Sequence, residues 1–167
     1  MDASKRERRA LDRHGLGLLR WLVGLVLATT ALGKSLDLSG FAEVVGTYQV
    51  LPPSTWFLAG VGLTLTEWAL ALWLFSGRQV ARAALAAAAL HTVFTVWATV
   101  AVVRGLHIPN CGCFGVFYAR PLTLSTVFED AMLLILCLTI YVLTRHHQVT
   151  NQLATSPGPS SGGTATL

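Results

Sequence analysis

The stretch Leu72-Trp73-Leu74-Phe75-Ser76-Gly77-Arg78-Gln79-Val80-Ala81 joins two apolar runs, Thr55 to Phe75 and Val80 to Val103, through a polar link that leaves room only for a reversal. Each run has the roughly 20 residues needed to cross about 30 Å of hydrocarbon as a helix. The link therefore predicts an antiparallel pair of membrane helices lying side by side. Working outward, Leu16 to Gly33 and Leu122 to Leu143 come close to the same length. The expectation is an all-α integral membrane four-helix bundle.

Composition agrees, with 53% hydrophobic and only 12% charged residues. The net charge of +4 does not point to nucleic acid, because Lys5, Arg6, Arg8, Arg9 and Arg13 concentrate it beside the first apolar run. Such a cluster is the mark of a cytoplasmic flank. A signal peptide also opens on basic residues, but no small-residue cleavage pattern closes Leu16 to Leu32, so this segment reads as a retained span. Arg78, Arg82 and Arg145 fall on the same side as the basic N-terminus, against Lys34, Arg104 and Arg120 opposite. Both termini are then expected in the cytoplasm, with residues 34–54 and 104–121 as outward loops. The chain divides into a basic N-terminus over 1–15, a membrane domain over 16–145 and a disordered tail over 146–167. The tail is uncharged from Val149 on and rich in Ser, Thr, Gly and Pro.

Inside the second outward loop, Cys111-Gly112-Cys113-Phe114-Gly115 holds two of the three cysteines one glycine apart. A glycine between them admits the tight backbone that a local bridge needs. Thiols this close can form or pass on a disulfide, and the outward side is where disulfides persist. Arg104, His107 and Arg120 flank the pair and favour thiolate. Two plainer readings stand beside exchange. The cysteines could staple a turn, or His107, Cys111 and Cys113 could hold a soft metal such as Cu(I), or Zn with a fourth ligand. Phe114, Phe117 and Tyr118 read as interface anchors.

Within the spans, Glu67 lies about 12 residues into the second run, roughly 18 Å deep. His91 reaches a similar depth from the other face in the third. A carboxylate there must be neutral, face the bundle interior or find a partner, for which His91 and Arg20 are the candidates. Glu67 and His91 could relay protons or bind the head of a quinone, or simply tie helices together. Glu129 and Asp130 fall near the start of the last span, as proton acceptors for exchange or as solvated acids at a helix N-terminus. Cys137, about 13 residues into that span, is a packing residue, and the small residues of Ala83 to Ala89 allow close helix approach.

Gly33-Lys34 with Asp37, the loop Phe41…Tyr48…Leu51-Pro52, Glu67 and Cys111-Gly112-Cys113-Phe114-Gly115 appear in an order and spacing that resemble the MauE family, methylamine-utilisation membrane proteins grouped with DoxX-like four-helix proteins. The resemblance covers residues 16 to 145. It implies a role in maturing a disulfide-rich exported protein, in the family's named case the small subunit of methylamine dehydrogenase, alongside a thioredoxin-like partner. Taken with the thiol and mid-span chemistry above, the candidate site is Cys111 and Cys113 for thiol-disulfide exchange, Glu67 and His91 for proton relay or quinone contact, and Lys34, His107, Glu129 and Asp130 in support. A non-catalytic assembly factor and a metal-handling or transport protein are the alternatives. No complete cofactor motif decides whether the chain is an oxidoreductase or a redox subunit, and nothing names its client.

Overall fold

The computed structural model describes residues 3–155, with the side chains of residues 14–150. Five helices follow one another: α1 Ala3–Ser35, α2 Leu38–Thr47, α3 Trp56–Ser76, α4 Val80–Val103 and α5 Leu124–Thr155. Segments of α1, α4 and α5, and α3 together with the short 3-10 turn that leads into it, are long and apolar enough to cross a membrane: His14–Ser35, Pro53–Ser76, Val80–Val103 and Leu124–Thr150. In none of them is more than 33% of the most apolar window buried. Leu25, Leu58, Leu72 and Ile135 instead face outward, an apolar exterior that water would not tolerate and lipid does. The chain is a multi-span membrane helical bundle.

The reversal between α3 and α4 is built as its sequence suggests. Gly77 ends α3 in the left-handed region at φ 68° and donates its N–H to the Leu74 carbonyl at 3.3 Å, and Gln79 at φ 51° leads into α4. The hairpin does not, however, make its two helices close packing partners. Pairing is most extensive between α4 and α5 and between α1 and α3, while α3 and α4 touch only sparsely. Alanine explains α4's preference: Ala83, Ala84, Ala87 and Ala88 are buried in one cluster with Cys137 and Ile140 of α5. Cys137 is thereby placed as a core residue, as expected.

Two expectations change. Residues 34–54 are not a plain loop but carry α2, capped by the Asp37 carboxylate, which accepts from the Gly40 N–H at 2.8 Å. Phe41, Ala42 and Val45 fall at helical spacing and bury one face of it. At the other end, α5 continues through residues 146–155, which composition had assigned to the disordered tail. No glycine or proline interrupts the chain between Leu124 and Thr155, so nothing stops the helix at Leu143. Residues 156–167 lie outside the described residues.

Packing separates into two clusters along the bundle. One gathers Val23, Leu27, Leu70, Leu74 and Ile140 toward the α3–α4 turn, and the other gathers Ala98, Ala101, Ile108, Cys111 and Leu122 toward the long loops. Between them lies a cavity of about 120 Å³, to which every helix contributes a wall.

Candidate functional site

The roof of the cavity is the segment after α4. Its ends are drawn together by the Leu122 N–H on the Ile108 carbonyl at 2.9 Å and the Cys111 N–H on the Arg120 carbonyl at 2.7 Å. Asn110 braces the interior: its side-chain oxygen accepts from the Gly112 N–H at 2.9 Å and its amide donates to the Gly115 carbonyl at 3.2 Å. Gly112 and Gly115 both adopt φ +77°, a conformation that costs an L side chain about 1–2 kcal/mol. Space excludes side chains as well. A Cβ on Gly112 would press on Val44 at 2.9 Å and Phe41 at 3.0 Å, and one on Gly115 would fall on the Gly33 carbonyl. Reciprocally, a Cβ on Gly33 would fall on the Phe114 carbonyl. The cysteine segment thus docks main chain to main chain on the end of α1.

This docking sets the sulfurs of Cys111 and Cys113 2.8 Å apart as free thiols. Cys111 is the more buried of the two. Its carbonyl accepts from the Tyr48 hydroxyl at 2.8 Å, which ties the pair to the end of α2. Burial, with the neighbouring sulfurs and Asp130, pushes the Tyr48 phenol well above its ordinary range, so it remains a donor. The thiols are driven apart in acidity. A hydrogen bond from Cys113, against the opposing cost of burial and with help from the Cys113 N–H and the Arg120 charge, draws Cys111 down to about 7. The same bond, burial and the Cys111 charge push Cys113 well up.

Below the sulfurs, Lys34 of α1 meets Glu67 of α3, with its ammonium 2.6 and 2.8 Å from the two carboxylate oxygens. Their side chains are 4% and 2% exposed. The ammonium also lies 5.4 Å from the Phe41 ring centre and 5.7 Å from that of Phe94, where aromatic faces attract a cation. Neither His91 nor Arg20 is therefore the partner of Glu67. Arg20 lies against Gly77 at the far end of the bundle, and it was the reach of the Lys34 side chain back into the span that sequence position concealed. His91 of α4 faces Asp130 of α5 at 3.8 Å, beyond hydrogen-bond range. Both its ring nitrogens are buried without a hydrogen-bond partner.

The cavity brings together Cys111, Cys113, Lys34, Glu67, His91, Glu129 and Asp130, all singled out from sequence. Glu129 is also held outward by a bidentate pair with Arg120 at 2.7 and 2.8 Å, whereas Asp130 turns inward. His107 does not join them. It is exposed and absent from the cavity wall, and among the described residues no three His, Cys, Asp or Glu side chains are grouped to hold a metal ion. Among the described residues, His107, Cys111 and Cys113 are not assembled as a ligand set. Of the three flanking cations only Arg120 acts on the thiols, since Arg104 reaches the Tyr48 carbonyl instead, at 3.4 Å. Phe114 is a wall of the cavity, while Phe117 and Tyr118 remain exposed. Tyr48, Phe41 and Phe94 were given no role from sequence. Only the loop motif that includes Phe41 and Tyr48 carried a hint of the first two.

The pieces of the sequence pattern are thus one contact network: Gly33 on Gly115, Asp37 capping the helix of Phe41 and Tyr48, Phe41 on Gly112, Tyr48 on Cys111 and Glu67 on Lys34. Comparison with known proteins agrees with that pattern. A family model described as methylamine utilisation protein MauE matches residues 13–143. The methylamine utilization protein MauE of Paracoccus denitrificans is 32% identical over 125 residues, which cover 75% of this chain and 67% of the relative. No solved structure matches.

Proposed function

This chain belongs to the MauE family, and from that premise and the chemistry of its sulfurs we propose that it is a membrane thiol-disulfide exchange protein serving the maturation of exported disulfide-containing proteins. One observation carries the reading: two cysteine sulfurs 2.8 Å apart, unequal in acidity, on a rigid segment over a cavity with buried ionisable groups. A staple explains less. A bridge between residues two apart closes almost no loop and constrains the unfolded chain little, and the segment is already closed by its own hydrogen bonds.

In the proposed cycle, a client thiolate attacks Sγ of Cys113, the less buried residue of the two, in a Cys111–Cys113 disulfide. The bond breaks and Cys111 leaves as thiolate, favoured by the Cys113 N–H and Arg120, since a more acidic thiol leaves faster. A second client thiol then attacks the mixed disulfide, forms the client's bond and releases Cys113, which takes up a proton. Two electrons pass from client to loop. Exported clients require the loop to face outward, which the excess of Lys and Arg on the opposite side supports. Lys34 does not dilute that excess, because its charge is spent inside the bundle on Glu67. Both termini are cytoplasmic in this proposal, and a thioredoxin-like protein is the soluble partner that would exchange with the same pair.

Alkylation trapping of the purified full chain tests the cycle. The oxidised protein is mixed with a reduced dithiol peptide and quenched at intervals. Loss of the Cys111–Cys113 bridge with equal gain of peptide disulfide is expected, and a pair inert to the peptide overturns the reading.

A further inference from the structure

The cavity holds an arrangement that thiol exchange with a protein does not use. His91 is 3% exposed, points into the cavity, and has neither ring nitrogen hydrogen-bonded. A buried polar group left unpaired is destabilising, a cost that a ligand could relieve. Everything else polar around it is engaged or charged: Lys34 and Glu67 neutralise each other, Glu129 belongs to Arg120, and Asp130 stands 3.8 Å from Nδ1. An imidazole always carries at least one N–H donor, and a carbonyl oxygen is a group that would accept from it. The walls beside it are flat and apolar: Phe94 meets the His91 ring edge-on at 6.2 Å, and Phe41 and Trp97 line the same space. At about 120 Å³ the cavity approaches the roughly 150 Å³ that takes a benzene ring. Cys111 and Cys113 line the same cavity.

Resting on the exchange function proposed above, we infer that this cavity binds the ring of a quinone, with one carbonyl on His91, and that the quinone reoxidises Cys111 and Cys113. The balance closes without another reagent. The two S–H bonds break and one S–S bond forms, two electrons pass to the ring, and the two protons end on its oxygens as quinol. His91 positions the ring by donating to the carbonyl.

The probe is duroquinone, whose four ring carbons other than the carbonyls are all methylated, which blocks addition of thiols to the ring. The reduced full chain in detergent is mixed anaerobically with the quinone, and quinone absorbance and thiol state are read together. One quinone consumed per disulfide formed is expected. Bound quinone should also slow alkylation of Cys111 in the wild-type protein several-fold. His91→Gln should raise the quinone concentration for half-maximal rate at least tenfold and remove the protection. A pair that exchanges with the dithiol peptide but neither reduces nor is shielded by duroquinone overturns this inference alone. A pair inert to the peptide yet oxidised by the quinone overturns the exchange reading and leaves the cavity assignment standing. Should His91→Gln fail to fold, stoichiometry and protection in the wild-type chain decide, and unchanged kinetics in a folded His91→Gln refute the carbonyl contact.

Discussion

Two thiols of the same chemical kind become unlike groups because one donates to the other. Thiolate is the species that alkylates, and its fraction grows with pH through the group's own pKa. With Cys111 drawn down to about 7, its alkylation in the reduced protein should rise roughly tenfold between about pH 6 and about pH 8. Cys113, pushed up, should stay slow throughout that range. Site-resolved mass spectrometry of iodoacetamide-treated protein checks both, and equal rates would dismiss the asymmetry. Removing the donor with Cys113→Ala should move the Cys111 midpoint upward. Lys34 and Glu67 make a second residue-scale case. Glu67→Ala strands a buried ammonium and should cost about 3–5 kcal/mol, while the double variant Lys34→Met with Glu67→Leu recovers most of it. Thermal unfolding in detergent distinguishes these outcomes, and equal losses in the two proteins would show that pairing is not what Lys34 contributes.

Among the elements, the cysteine segment and α1 depend on each other at Gly33 and Gly115. Gly115→Ala should destabilise by at least the 1–2 kcal/mol or so of a disfavoured backbone, and should lift the segment so that Cys111 alkylates several-fold faster. Far-UV circular dichroism should meanwhile keep its helical signal, because the spans do not depend on this contact. Alkylation unchanged from wild type would mean that the segment holds its place by other bonds. This dependence was not legible in the sequence. Gly33 and Gly115 could each be recognised as parts of a pattern, yet nothing along the chain says that they touch. The spans were legible for the opposite reason, since length and apolarity are local properties, and Val80 to Val103 came out to the residue. Helix α2 escaped notice because it is short, holds two glycines and follows an aspartate that reads equally as loop or cap.

For the molecule as a whole, helix pairing follows small residues and charge more than chain order. The tight reversal between α3 and α4 suggested that Glu67 and His91 would find each other across the hairpin. Instead α3 turns to α1, where Glu67 finds Lys34, and α4 turns to α5, where His91 faces Asp130 at 3.8 Å without a hydrogen bond. The candidate site was legible as a set of residue types and illegible as pairs, because pairing depends on which helices become neighbours. Orientation is likewise a property of the whole chain. In a Cys137→Ala background, an impermeant maleimide added to intact reduced cells should label the Cys111 and Cys113 pair. Labelling that requires permeabilisation would invert the proposed topology and remove the exported client.

The meeting of Gly33 with Gly115 has a consequence for anyone who would transplant this chemistry. Neither position can acquire a side chain without evicting the main chain of the other, so the two behave as a single inheritable module split between distant parts of the chain. Grafting the sulfur-bearing segment onto another scaffold would require carrying across the top of the first helix with it.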